Sequence, residues 1–124
     1  MIKKFYVCKT CGNMVEMVKE SGMIMVCCGQ NMTELIPCST DGSKEKHVPD
    51  VAIDGKTVTV KIGSEAHPMI EEHYIEWIMI ETKCGGQKKM LKPGSEPKAT
   101  FILTAEDAYV EAYAYCNIHG LWKK

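Results

Sequence analysis

The stretch Ala108-Tyr109-Val110-Glu111-Ala112-Tyr113-Ala114-Tyr115-Cys116 decides what the C-terminal part of this chain folds into. Alanine and glutamate favour helix, but the tyrosines at 109, 113 and 115 keep a two-residue period with Glu111 between them, which predicts a strand. On that reading Val110, Ala112, Ala114 and Cys116 share the inward face, and the small alanines leave room just before the thiol. Cys116 then opens Cys116-Asn117-Ile118-His119. A soft thiolate and a borderline imidazole at this spacing could hold one transition metal from two sides. By itself such a pair is common by chance, so its meaning depends on the rest of the chain.

Upstream, the pattern is that of an all-β domain. Val51 to Ile53 is followed by an Asp54-Gly55 turn suited to a tight hairpin, and then Val58, Val60 and Ile62 alternate with Thr57, Thr59 and Lys61. Gly63 closes that strand. His73 opens the run Tyr74 to Ile80, whose second half is apolar on both alternating faces and suits a strand buried between layers. Cys84-Gly85-Gly86 predicts a turn, Lys88 to Lys92 a polar strand, and Thr100 to Leu103 another, while Pro93 and Pro97 exclude a continuous helix between them. About seven short strands with regularly spaced turns predict an antiparallel sandwich over residues 37–124. The stretch from Cys38 to Lys46 is loop-like, with turn-rich Ser39-Thr40-Asp41-Gly42-Ser43 followed by charged Lys44-Glu45-Lys46.

Residues 1–36 form a unit of their own. Cys8-Lys9-Thr10-Cys11-Gly12 is a knuckle in which a tight turn aims two thiolates at one point. Met14 to Val18 and Met23 to Val26 predict short strands about a Ser21-Gly22 turn, the second delivering Cys27-Cys28-Gly29. Four thiolates make one tetrahedral site. Neighbouring side chains of a strand point to opposite faces, so for Cys27 and Cys28 to reach one metal the backbone must bend there, and Gly29 is placed to allow it. That adjacency departs from the paired Cys-x-x-Cys knuckles of structural zinc and tilts the site towards iron.

At 124 residues, the chain accommodates one real core plus a small appendage. A hydrophobic fraction of 45% and a charged fraction of 25% exclude a disordered chain. No apolar run approaches a membrane span, and Met1 to Phe5 lacks a signal-peptide core, which predicts a cytoplasmic protein. A net charge of -1 without a basic face gives no footprint for nucleic acid. Seven cysteines in a reducing compartment point to metal or redox chemistry rather than to disulfides.

All four histidines fall where strands end or loops begin: His47 in His47-Val48-Pro49, His67 before Pro68, His73 and His119. One rim of a sandwich could gather them with Cys116. Four imidazoles and a thiolate exceed the ligand count of a closed zinc site, and a six-coordinate metal would keep one position open for a substrate.

In order and spacing these motifs resemble the desulfoferrodoxin family, the two-iron superoxide reductases, over nearly the whole length. Cys8, Cys11, Cys27 and Cys28 look like its desulforedoxin-type iron centre. Glu45-Lys46-His47-Val48-Pro49, His67-Pro68-Met69 with His73, and Cys116-Asn117-x-His119 look like its catalytic iron centre, carried on an immunoglobulin-like antiparallel β-sandwich. The resemblance implies two irons per chain and one-electron reduction of superoxide to hydrogen peroxide. It places the four histidines equatorially and Cys116 axially, opposite the open position. It also implies that Lys46 draws in the anion and that Glu45 covers the open position in the oxidised resting state. Rubredoxin or a similar carrier is the implied electron donor and a homodimer the implied assembly, with the N-terminal iron chiefly structural. A non-enzymatic iron electron carrier or redox sensor is the alternative, and a zinc-stapled binding module a third reading. Cys38 and Cys84 have no place in the family's ligand pattern, and buried free thiols are expected there.

Overall fold

The structure, a computed structural model, describes residues 3–40 and 42–124. Met1, Ile2 and Asp41, which enter the readings of the N-terminus and of the turn-rich stretch, lie outside the described residues. The chain divides into two compact units, Met1–Ile36 and Pro37–Lys124.

In the first unit, β1 (Phe5–Val7) is the middle strand of an antiparallel sheet between β2 (Met14–Glu16) and β5 (Thr33–Glu34). A separate two-residue hairpin joins β3 (Val26–Cys27) to β4 (Gln30–Asn31). The expected pairing of Met14–Val18 with Met23–Val26 does not form. Met23 and Ile24 stand 79% and 69% exposed, because the unit offers no core for a longer hairpin to cover. Apart from Cys8, Phe5 is the one apolar side chain of the described unit that is fully buried. So small a core cannot by itself offset the entropy of ordering the chain.

The second unit begins with a single helical turn, α1 (Lys44–His47), where the sequence pattern predicted a loop. Two antiparallel sheets follow. One has the order β10-β7-β6, from β6 (Pro49–Asp54), β7 (Thr57–Ile62) and β10 (Lys98–Ile102). The other has the order β12-β11-β8-β9, from β8 (Ile75–Thr82), β9 (Gly85–Met90), β11 (Tyr109–Cys116) and β12 (Gly120–Lys123). Val58, Val60, Ile62 and Phe101 from the first sheet meet Ile78, Ile80, Ala112, Ala114 and Cys116 from the second in one core. This is the mainly β antiparallel sandwich that the alternating pattern called for, of the immunoglobulin-like kind that the resemblance implied.

Ala108–Cys116 is a strand from Tyr109, but Val110 is 46% exposed rather than inward. The register against β8 shifts between Tyr109 and Glu111, so the inward face begins only at Ala112. The β8 strand is buried on both faces as expected, though its second face is covered by neighbouring side chains: Trp77 stacks on Tyr115 and lies under Lys88, and Met79 reaches over bare Gly86. Gly85 and Gly86 therefore belong to strand β9 and not to the turn. The strand β12 has no signal in the sequence pattern, since four residues are too few to show a period. Cys38 and Cys84 are both exposed, against the expectation of buried thiols. One lies in the segment that enters the unit, at a positive φ of 59°, and the other at the β8–β9 turn.

Truncating Phe101, 1% exposed at the centre of this core, removes contacts that the sheets cannot recover. Phe101→Ala is expected to cost about 3–5 kcal/mol. Urea unfolding followed by tryptophan fluorescence checks it, because both tryptophans, Trp77 and Trp122, lie in this unit.

Candidate metal centres

In the first unit the knuckle is built by backbone hydrogen bonds: Cys8 N–H donates to Asn13 O and Gly12 N–H to Cys8 O, each at 2.8 Å. Gly12 takes φ 84°, a conformation that side chains resist. The bend that brings two adjacent cysteines to one point falls on Cys28 itself (φ 54°) as well as on Gly29 (φ 73°). Cys8, Cys11, Cys27 and Cys28 place all their sulfurs within 4.8 Å of one another. Cys11 Sγ is 3.6 Å from Cys27 Sγ, and Cys27 Sγ is 4.0 Å from Cys28 Sγ. A tetrahedron of sulfurs about 2.3 Å from a central metal has edges of about 3.8 Å. The backbone amides of Cys11 and Thr10 draw the Cys8 thiol down to about 6, whereas its thiol neighbours, Cys11 first, push Cys28 up to about 12. Four thiolates cannot coexist there without a cation between them.

The second constellation stands at one end of the sandwich. His47 ends α1, His67 follows the turn after β7, His73 precedes β8, Cys116 is the last residue of β11, and His119 lies in the turn to β12. Their rings form a square. Successive centroids are 4.6 Å (His47–His67), 4.7 Å (His67–His73), 5.1 Å (His73–His119) and 4.7 Å (His119–His47), each pair near perpendicular. The His47–His73 diagonal is 6.3 Å with the rings near parallel. His47, His67, His73 and Cys116 present ligand atoms within 4.8 Å of one another. His119 joins them through Nδ1, 3.1 Å from His47 Nε2 and 3.9 Å from Cys116 Sγ.

Two of the outer nitrogens are already committed. His47 Nδ1 donates to Ser43 O at 2.6 Å and His67 Nδ1 to Pro68 O at 2.7 Å, which fixes both tautomers with a bare Nε2. Those two bare Nε2 atoms face each other at 3.1 Å. His73 Nε2 is buried with no hydrogen-bond partner among the described residues. A proton is a poor solution, because burial lowers the pKa of His47 and His73 and takes His67 down to about 4. A cation fits. Two nitrogens about 2.1 Å from one metal and at right angles lie about 3.0 Å apart. Cys116 is fully buried, and burial raises its pKa, so its thiolate too requires a positive partner; His119 N–H donates to Sγ at 3.4 Å.

Of the two charged candidates, Lys46 is exposed on α1, and its charge reaches His47 and His73, opposing their protonation. Glu45 accepts a 2.6 Å hydrogen bond from Ser43 Oγ, which lowers its pKa.

Several supporting residues carried no ligand signature in the sequence. Asn117 accepts from Tyr74 N–H and donates to Glu72 O, each at 3.0 Å, and so ties the Cys116 turn to the His73 segment. Gly63, at φ 83°, lies so close to α1 that a Cβ would come within 2.6 Å of Glu45 O and Lys46 Cα. Trp122 stacks on His47. Only Gly63 and Asn117 left a trace, as a strand-closing glycine and as one of the two residues between Cys116 and His119.

Fold and geometry together define a non-haem metalloprotein with one thiolate centre and one mixed imidazole–thiolate centre. The family model for desulfoferrodoxin matches residues 39–124, and the one for the desulfoferrodoxin N-terminal domain matches residues 3–35. This chain belongs to the desulfoferrodoxin family. It is 49% identical over 122 residues to a desulfoferrodoxin homolog of Archaeoglobus fulgidus, covering 98% of this chain and 96% of the relative. It is 44% identical over 120 residues to the desulfoferrodoxin of Nitratidesulfovibrio vulgaris, covering 97% and 94%. The crystal structure of the superoxide reductase from Treponema pallidum aligns with a TM-score of 0.84 at 38% identity, covering 99% of this chain and 97% of that one.

The histidine ring gives the metal-free protein a defined pH dependence. His67 titrates near 4 when folded and near the ordinary 6.5 when unfolded, so the unfolded chain binds more protons between those values. Its contribution to stability is complete above about pH 6.5 and declines as the pH falls towards 4. Urea midpoints of chelator-stripped protein from pH 7.5 to 4 should fall on that limb, and His67→Gln should make it shallower, leaving the share of His47 and His73.

Proposed function

We propose that this chain is a superoxide reductase with two irons, one on Cys8, Cys11, Cys27 and Cys28 and one on His47, His67, His73, Cys116 and His119. The observation that carries this reading is the square of four imidazoles with the buried Cys116 sulfur within 4.8 Å of the ligand nitrogens of His47, His67 and His73 and 3.9 Å from His119 Nδ1. Four imidazoles and one thiolate would leave a six-coordinate metal one position for a small anion. Iron held there supplies the single electron that, with two protons, takes superoxide to hydrogen peroxide.

The chain's own groups do the rest. The Cys116 thiolate, shielded from water, raises electron density at the bound metal and favours giving up that electron. Ser43 O and Pro68 O hold the His47 and His67 rings in one tautomer. Lys46 steers the superoxide anion and favours the developing peroxide charge. Glu45, whose carboxylate here accepts from Ser43 Oγ, is the group that would cover the free position in the oxidised resting protein.

The domains are residues 1–36, desulforedoxin-like, and 37–124, the catalytic sandwich. The first iron is chiefly structural, consistent with a unit whose described core has little beyond Phe5. Exposed Val18, Met23, Ile24 and Val26 support a homodimer formed through that unit. Each turnover oxidises the iron once, so an external carrier such as rubredoxin returns the electron, which makes the chain part of an electron-transport step in a cytoplasmic detoxification. Among the described residues no helix is long and apolar enough to cross a membrane.

The test is rapid mixing of the fully reduced protein with superoxide. Oxidation of the histidine centre with formation of peroxide is expected. If the centre stays reduced, or no peroxide forms, the chain is an electron carrier or sensor instead, and zinc in both sites would sink the iron assignment altogether. Cys116→Ser should abolish the reaction while leaving the absorption of the four-cysteine centre unchanged. Lys46→Ala should slow it and weaken its dependence on ionic strength.

A further inference from the structure

Three observations that the proposed chemistry does not use meet at His119. Trp122, 1% exposed, stacks on His47 with ring centroids 4.9 Å apart and an interplanar angle of 26°, while its Nε1–H donates to His119 O at 3.1 Å. The Thr40 hydroxyl donates to that same carbonyl. Gly42 packs so tightly against both rings that a Cβ would lie 2.8 Å from Trp122 Cζ2 and 2.9 Å from His119 Cβ.

We propose that Thr40 and Trp122 are positioning residues that hold His119, and through the indole stack His47, in the ring geometry that a metal requires. His119 presents Nδ1 inward, where His47 and His67 present Nε2, and it lies in a turn of three residues between β11 and β12. A ring bonded through Nδ1 brings its own backbone close to the metal, so a shift of that backbone moves the ligand atom almost directly. Its carbonyl is fixed from two directions, by a hydroxyl from the segment entering the unit and by an indole from the neighbouring strand. The segment itself is docked there, since Cys38 N–H donates to Leu121 O at 2.8 Å. The same His119 peptide N–H donates to Cys116 Sγ, so the frame also fixes the thiolate's hydrogen bond. Trp122 adds the second ring: as a rigid plane against His47 it limits rotation about the axis that the Ser43 O hydrogen bond leaves open. Gly42 is the condition for all of this, because any side chain there would push the indole and the imidazole apart.

The inference rests on the iron reading above, and the experiment separates the two. Iron-loaded wild type, Thr40→Val, Thr40→Ser, Trp122→Phe and Trp122→Leu are compared in three ways. These are the thiolate-to-iron absorption band of the oxidised histidine centre, the rate of iron release to a chelator, and far-UV circular dichroism for folding. The four-cysteine centre serves as internal reference. Thr40→Val should shift the band and weaken iron binding about 10-fold to 100-fold, the range for removal of a partner that orients a ligand. Thr40→Ser, which keeps the hydroxyl, should restore both. Trp122→Phe, which keeps the ring and loses the N–H, should fall between wild type and Trp122→Leu. An unshifted band with unchanged iron release in folded Thr40→Val overturns the proposal, whatever the tryptophan variants do. Equal defects in Thr40→Val and Thr40→Ser overturn it as well. Absence of the band from wild type itself would instead overturn the iron reading.

Discussion

Two imidazole nitrogens without protons face each other at 3.1 Å in the interior of this protein, and the rest of the second unit is arranged to keep them there. Their outer nitrogens are spent on Ser43 O and Pro68 O, so neither ring can turn its hydrogen inward. Burial disfavours a proton as the mediator. What is left is a cation, and the donors around the gap, three further groups including a buried thiolate, are those of a borderline-to-soft transition metal. The constraint explains why the site sits at the end of a sandwich. Two sheets with a close-packed core provide a rigid rim, and loops leaving that rim can aim side chains from five places in the chain at one point.

The first unit solves the opposite problem. It has almost no core, and its strands are two or three residues long. Its four sulfurs lie within 4.8 Å of one another, so a cation between them would link its short strands. The positive φ at Cys28 shows how tightly that demand bears on the backbone: a residue with a Cβ accepts a left-handed conformation because its sulfur is needed on the same side as its neighbour's.

Much of this was legible from residue order. The alternation of Val58, Val60 and Ile62, and the small residues before Cys116, announce a half-buried sheet surface because side chains in strands alternate by geometry alone. The nine sulfur and nitrogen donors are conspicuous because Cys and His carry chemistry that few other positions need. What stayed hidden was either too short or too distant to leave a pattern. The helical turn Lys44–His47 and the strand Gly120–Lys123 have four residues each, too few for a period to repeat visibly. Val110 points outward because of a register shift that only its partner strand reveals. Cys38 and Cys84 are exposed because of where turns fall, which composition does not record.

The sequence alone determined the two-unit organisation, the β character and the donor set, since these depend on local period, on spacing and on the identity of side chains. Only the tertiary structure decided that the histidines form a square, which ring nitrogen each presents, and which bare carbonyls hold them. Those are relations between residues far apart in the chain: Thr40 with His119, His47 with His67, Asn117 with Tyr74. No local pattern encodes them, because they follow from how two sheets pack and where that packing leaves the loop ends.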